Sequence, residues 1–362
     1  MKYKFLIYIS YSYSIPVGEP LEQEILKRGD HVKWFCDTEE GKVKLFTNSN
    51  LLTTIKQAVD YKPDIVLSIT NSVPDFIRGI KVQVFHGFNA KKRVSKINKF
   101  SHFKIRGFYD LYCTQGPSTT HYFKELSQLH GYFNVQETGW PKVDGLFEKS
   151  CSQKYVRNNI LISSTFTKSL SLAYDDSFYH EIKALIRTGK YNFHMILHPK
   201  IPSQIVKKWK KLTGKHFTYF NTTDLNPILL NNALMISDTS SVISEFLLLK
   251  KPVIAYKSPI REDHLINVDA SKDLAQSIKV AFQLNHNLLL KIEDYIQELH
   301  PYQDGKSSQR VIDQSINYLH MDKNKTPKKP LNLFRKLKIR YKLKYFTFKT
   351  YSQALTIKKN HL

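Results

Sequence analysis

The chain has 362 residues, of which 41% are hydrophobic and 13% aromatic, so it is long enough for two domains and too apolar to be disordered. Its net charge of +24 favours an acidic partner, such as a phosphate-rich substrate, an anionic lipid or a nucleic acid. The three cysteines are far apart and offer neither a zinc spacing nor a disulfide framework, and no stretch reaches the roughly 18 apolar residues of a membrane span.

The first part of the chain alternates short apolar runs with amphipathic segments. Residues 5–9 predict a first strand, and because this run is too short for a signal peptide we expect a cytosolic protein. Further strands are predicted at HVKWFC, IVLSI, KVQVF, YDLYCT and FNVQET, with helices at EPLEQEILKRGD, LLTTIKQAVDY and PSTTHYFKELSQL. This alternation predicts a doubly wound α/β domain with a parallel sheet.

A second α/β run follows a polar stretch between residues 139 and 158, where we place the domain boundary. Its strands are predicted at NILIS, FHMIL, HFTYF, ALMIS and PVIAY. We therefore expect two tandem Rossmann-like domains, an acceptor-side domain at 1–150 and a nucleotide-donor domain at 151–322. Ligands of such sheets bind at the carboxyl ends of the strands, here in a cleft between the domains. This is the architecture of a GT-B-type transferase.

The residues from 323 to 362 have a different character. They hold thirteen Lys and Arg and no acidic residue, which leaves the preceding body at a net charge of about +11. After a charged linker, residues 336–345 alternate basic and apolar side chains, which fits either a strand-like edge or an irregular amphipathic helix. Such a basic tail either contacts an anionic membrane surface or is merely solvated.

Two helix starts carry side chains that suit a phosphate. The first follows the strand ALMIS, where free backbone N–H groups and the positive end of the helix dipole favour an anion. Its residues are Asp238, Thr239, Ser240 and Ser241. The second opens the last helix of the body and offers Asp304, Ser307, Ser308 and Arg310. Because Asp, Ser and Thr are also ordinary capping residues, both starts have a plain structural alternative.

Two histidines follow strands, one in each domain. His86 precedes Gly87, which lets a substrate approach the backbone, and His198 precedes a proline that fixes the direction of the chain. Imidazole is well suited to accept a hydroxyl proton near neutral pH. In the basic loop after His86, Lys91 and Lys92 are candidate acceptor or phosphate contacts, with a solvated loop as the alternative.

Five motifs occur in a fixed order: FHGFNAKK, TGWPKVD, ILHPK, SDTSSVISEFLLLKKPVIAY and DGKSSQRVID. In combination they resemble the CDP-glycerol glycerophosphotransferases of teichoic acid synthesis, which have a GT-B fold. The resemblance implies that His86 and His198 are the essential histidines and that the two helix starts are parts of the nucleotide diphosphate site. The chain departs from the family at Phe88-Asn89, more often Thr-Pro, and at Thr239, more often aromatic, so the polyol is left open.

The resemblance implies a transferase that moves glycerol phosphate, or a related polyol phosphate, from a CDP-activated donor to a hydroxyl of a cell-surface glycan or lipid-linked precursor, releasing CMP. His86 would be the general base and His198 would stabilise the diphosphate, although the two roles could be exchanged. No metal site and no cofactor are implied beyond the donor. We expect a cytoplasmic enzyme, peripheral on the inner face of the membrane.

Two other functions fit parts of the sequence. A GT-B glycosyltransferase of surface polysaccharide synthesis would share the diphosphate site but use a nucleotide sugar. A basic nucleic-acid-binding protein would explain the charge, yet the chain has no nucleic-acid motif and its charge is concentrated in the tail. We therefore expect no nucleic-acid partner.

Overall fold

The computed structural model describes residues 1–88, 103–150, 156–222, 224–283 and 285–358, and these form two compact units. The first unit takes residues 1–87, 103–145 and 299–358, and the second takes Phe88 and the described residues from 146 to 298. Residues 299–358 thus fold with the first unit, whereas the sequence analysis assigned 299–322 to the second domain and the remainder to a separate tail.

The first unit is built on one parallel sheet whose strands are short and buried. The strands are β1 (Lys4–Ile9), β2 (His31–Cys36), β3 (Leu51–Leu52), β4 (Ile65–Ser68), β5 (Ile80–Val84), β6 (Leu111–Thr114) and β7 (Asn134–Glu137). Their order is β3-β2-β1-β4-β5-β6-β7. The central strands β1 and β4 are buried on both faces, which explains why they are apolar runs rather than alternating patterns.

The first helices are α1 (Ile15–Lys27), α2 (Glu39–Leu45), α3 (Ile55–Asp60) and α4 (Pro117–His130). The helix predicted over LLTTIKQAVDY is wrong at its start, because the first two residues form β3. Helix α3 begins only after Thr54, whose hydroxyl accepts the backbone N–H of Gln57 in a capping box.

The second unit has a six-stranded parallel sheet. Its strands are β8 (Val156–Ser164), β9 (Asn192–Leu197), β10 (Phe217–Tyr219), β11 (Asn232–Ser237), β12 (Val253–Tyr256) and β13 (Ile266–Val268). The next helices of the chain are α5 (Asp144–Ser150), α6 (Asp176–Arg187), α7 (Ser203–Lys210), α8 (Asn226–Asn231), α9 (Val242–Leu247), α10 (Leu274–Phe282) and α11 (His286–Leu299). The order β10-β9-β8-β11-β12-β13 reverses between β8 and β11, as the first sheet does between β1 and β4. Both units therefore have the Rossmann strand order, in which the reversal marks the expected ligand position.

The last two helices, α12 (Ser307–His320) and α13 (Leu333–Leu343), complete the first unit. Buried ion pairs hold this segment in place, since Lys329 lies 2.7 Å from Asp110 and Arg340 lies 2.7 Å from Asp75. Ile339 also packs into the hydrophobic core beside the first sheet. Residues 336–345, which fitted either a strand-like edge or an irregular helix, are thus mostly helical. Among the described residues, no helix has both the length and the apolar character needed to span a bilayer.

Candidate active site

His86 follows β5 in the first unit, at the carboxyl end of the sheet as predicted. Its ring is partly exposed and packs against the ring of Tyr13, with the centroids 5.4 Å apart. Desolvation by the residues around it, with a smaller contribution from the nearby Arg106 guanidinium, lowers the pKa of the imidazole. A lowered pKa keeps the ring neutral at pH 7, and the neutral ring is the form that accepts a proton.

The backbone beside His86 is fixed by side chains of the same unit. Gln115 donates through Nε2 to the carbonyl oxygen of Gly87 at 3.1 Å, and the Trp140 indole donates to the carbonyl oxygen of Phe85 at 2.7 Å. No described atom lies within 4 Å of where a Cβ on Gly87 would stand, so a ligand has room beside this backbone. Lys91 and Lys92 lie outside the described residues.

His198 follows β9 in the second unit and is exposed. Its Nδ1 accepts the backbone N–H of Lys200 at 3.1 Å, so the neutral ring carries its proton on Nε2. An Nε2–H group can donate to a phosphate oxygen, which is a different role from that of a base. Phe166 packs against this ring with the centroids 4.6 Å apart, so each candidate histidine lies against an aromatic side chain that the sequence analysis missed.

Asp238 follows β11, where the order of the second sheet reverses. Its carboxylate accepts the Ser164 hydroxyl at 2.5 Å, the Thr165 N–H at 2.9 Å and the Leu172 N–H at 3.0 Å. Burial raises the pKa of Asp238, although these donors oppose the rise. The carboxylate is 1% exposed and joins the loops that follow β8 and β11, so it positions the turn rather than facing a ligand.

The three residues after Asp238 are half-buried. The Ser163 hydroxyl lies 3.4 Å from that of Ser240, which places Ser240 beside the end of β8. Helix α9 has only six residues, so its dipole adds less to an anion site than the sequence analysis assumed. A diphosphate site here would depend on the hydroxyls and turn amides of Thr239, Ser240 and Ser241.

The start of α12 lies in the first unit and is occupied by an acidic side chain. Asp144 accepts the backbone N–H of Ser307 at 2.9 Å, the N–H of Ser308 at 2.7 Å and the Ser308 hydroxyl at 2.7 Å. Both serines are buried. Asp144 therefore binds the donors of Ser307 and Ser308 that were predicted to bind the diphosphate. The sequence signal for this cap was the position of Asp144 at the end of the motif TGWPKVD.

Arg310 is held in a fixed orientation one turn further along α12. Its two terminal nitrogens lie 2.8 and 3.0 Å from the carboxylate of Asp304, and its Nε donates to the carbonyl oxygen of Thr138 at 2.9 Å. The guanidinium also stacks 4.0 Å over the Tyr302 ring. A planar, bidentate donor of this kind suits a phosphate, which would compete with Asp304 for it.

The predicted donor residues thus belong to two groups. Asp304, Ser307, Ser308 and Arg310 lie in the first unit, and Asp238 to Ser241 lie in the second. Both groups were predicted in the second domain, at 151–322, and the structure divides them between the two units. Within the described parts of the chain, no three His, Cys, Asp or Glu side chains are grouped as metal ligands would be.

Known proteins match this chain over most of its length. A family model described as CDP-glycerol:poly(glycerophosphate) glycerophosphotransferase matches residues 72–316, about two thirds of the chain. Two teichoic acid ribitol-phosphate polymerases of Staphylococcus aureus, TarL and TarK, are 26% and 25% identical over 207 residues. Those matches cover 49% of this chain but only 36% and 40% of the relatives, so the chain spans less than half of their length.

Solved structures with the same fold cover more of the chain. The wall teichoic acid polymerase TagF aligns with a TM-score of 0.61 at 13% identity, over 87% of this chain and 88% of that one. A UDP-GlcNAc 2-epimerase from Neisseria meningitidis aligns with a TM-score of 0.58 at 12% identity, over 87% and 99%. These likenesses confirm the GT-B-type fold. The family match covers about two thirds of the chain and includes both histidines and both helix starts, and it shows that the chain belongs to the CDP-glycerol:poly(glycerophosphate) glycerophosphotransferase family.

Proposed function

We propose that this chain transfers a polyol phosphate from a CDP-activated polyol to a hydroxyl of a surface glycan or its lipid-linked precursor, releasing CMP. The family match carries the proposal, because residues 72–316 include His86, His198, Asp238 to Ser241 and Asp304 to Arg310. Glycerol phosphate is the first candidate, from the family description. Ribitol phosphate is the second, since the relatives TarL and TarK are named for it.

In the proposed reaction His86 is the general base. The neutral imidazole takes the proton of the acceptor hydroxyl as its oxygen attacks the β-phosphorus of the donor, and CMP leaves with the electrons of the broken P–O bond. His198 donates its Nε2–H to a diphosphate oxygen as negative charge develops. Ser240 and Ser241, in the same unit as His198, bind other diphosphate oxygens, and Asp238 holds the turn that carries them. Arg310 is a candidate phosphate contact of the first unit.

The donor class is the direct test. The full chain would be incubated with CDP-glycerol, CDP-ribitol or UDP-GlcNAc, each with a glycan acceptor, and the released nucleotide measured. We expect CMP from at least one CDP-polyol and no UDP. Release of UDP with transfer of the sugar, and no CMP, would replace this proposal with a nucleotide-sugar glycosyltransferase.

We also propose that the outer face of α13 contacts an anionic membrane surface. Phe334, Leu337 and Tyr341 are spaced for one face of the helix and are 90%, 58% and 78% exposed. Arg335 and Lys338 stand among them, and no Asp or Glu follows Asp322 to oppose an acidic lipid. Large apolar side chains among basic ones match the interfacial region of a bilayer.

A triple serine variant at Phe334, Leu337 and Tyr341 is expected to bind vesicles containing phosphatidylglycerol at least roughly tenfold more weakly, because the three apolar side chains no longer enter the interface. Sedimentation with the vesicles measures the change. The matched control replaces two other exposed apolar residues, Val43 in α2 and Phe46 directly after it, with serine. Equal binding by the triple variant and the wild type would remove the membrane role from this helix.

A further inference from the structure

Two exposed tyrosines stand on the loop that leaves β1. Tyr11 and Tyr13 are 47% and 55% exposed, and their rings are stacked with centroids 5.5 Å apart and planes 22° apart. Tyr13 in turn packs on the ring of His86. Tyrosine is enriched at binding interfaces, and grouped exposed apolar surface is typical of ligand-binding sites.

The tyrosine pair lies at the edge of the first sheet where open α/β sheets bind their ligands. The strand order of the first unit reverses between β1 and β4, and ligands of open α/β sheets bind outside the carboxyl ends of strands at such a point. Tyr11 and Tyr13 follow the carboxyl end of β1, and His86 follows the carboxyl end of β5, the strand next to β4. The tyrosine pair therefore lies where a ligand of this unit would reach the candidate base.

The loop that carries the pair is held by its backbone. The N–H of Ser12 donates to the Glu40 carboxylate at 2.9 Å, and the Ser12 hydroxyl contacts the same carboxylate. The N–H of Ser14 donates to the carbonyl oxygen of Tyr11 at 3.0 Å, and the Ser14 hydroxyl reaches the carbonyl oxygen of Ile69. A surface held in this way loses little conformational freedom when a ligand binds to it.

We propose that Tyr11 and Tyr13 form a stacking surface for a pyranose ring of the acceptor, beside His86. The inference rests on the proposed transfer reaction and specifies its acceptor. A pyranose has flat faces of C–H groups and hydroxyls at its edge, so one face covers aromatic rings while the edge meets the tyrosine hydroxyls and His86. A linear polyol phosphate chain has no such face. The surface therefore selects an acceptor that ends in a sugar ring.

The test compares two acceptors, a methyl disaccharide pyranoside and a short glycerol phosphate oligomer. We expect Tyr11→Ala and Tyr13→Ala each to raise the KM for the pyranoside roughly three- to tenfold. The KM for CDP-glycerol and the KM for the oligomer should stay within about twofold of the wild type. Tyr13→Phe, which keeps the ring, should retain most of the affinity, and Phe46→Ala, at an exposed ring directly after α2, is the control.

Equal rises in KM for both acceptors, or a fall in kcat alone, would overturn the stacking surface and leave Tyr13 as a residue that only positions His86. Saturation-transfer NMR with the full chain and the pyranoside, without donor, separates this inference from the reaction. Binding that is lost in the two alanine variants supports the surface even if no CDP-polyol yields CMP. CMP release from a chain that neither binds nor uses the pyranoside would reject the surface and keep the reaction.

Discussion

Replacing His86 with alanine is expected to lower the rate of CMP release at saturating donor and acceptor by about 10²- to 10⁴-fold, because the acceptor hydroxyl loses its general base. The dissociation constant for CDP-glycerol, measured by titration calorimetry, should change by less than about twofold because His86 acts on the acceptor. The control is His121→Ala, since that exposed histidine of α4 pairs at the surface with Glu125. A folded His86→Ala chain with more than about a tenth of the wild-type rate would contradict the assignment.

The pH dependence of the same rate gives an independent measure of His86. Its pKa lies below the ordinary value of 6.5 because of burial and the Arg106 charge. The value of kcat/KM should therefore be on its plateau at pH 7 and fall as the pH drops through that lowered pKa. Arg106→Gln removes a positive charge and should move the fall to higher pH. Arg187→Gln, on α6, should leave it unchanged.

Asp75→Ala is expected to lower the free energy of unfolding of the first unit by about 3–5 kcal/mol, because it leaves the buried Arg340 guanidinium without its partner. Arg340 is 6% exposed and contacts the two carboxylate oxygens of Asp75 at 2.7 and 3.2 Å. Urea unfolding followed by circular dichroism measures the loss. The control is Asp269→Ala, which removes an exposed ion pair with Arg261 and should cost less than about 1 kcal/mol.

Acid should weaken the same contact. Burial alone would raise the pKa of Asp75, but the hydrogen bonds from Arg340 and Thr350 outweigh it and lower that pKa. The carboxylate therefore adds stability above the ordinary Asp pKa of about 4, and this stability is lost as the pH falls through the lowered value. The Asp75→Ala chain should lack this part of the acid dependence. The ion pair predicts that the unfolding free energies of the wild type and Asp75→Ala converge at low pH. Convergence only near pH 7 would contradict it.

The sequence was sufficient for the features that depend on neighbouring residues. Buried strands are apolar runs, so β1, β2 and β11 could be predicted, and so could the positions of His86 and His198 after the carboxyl ends of their strands. The placement of residues 299–358 could not be predicted in this way. Asp75 and Arg340 are 265 positions apart, and Asp144 and Ser307 are 163 apart, and no local periodicity encodes such contacts. The same nonlocal contact left Ser307 and Ser308 open to assignment as diphosphate donors.

The return of residues 299–358 to the first unit also has a consequence during synthesis on the ribosome. Residues 1–145 emerge first, but Asp75 and Asp110 meet Arg340 and Lys329 only after another 184 to 195 residues have been made. At roughly 5–20 residues per second this takes on the order of 10–40 s. The described residues of the second unit, mostly between 146 and 298, are all available sooner. The first unit is therefore completed after the second.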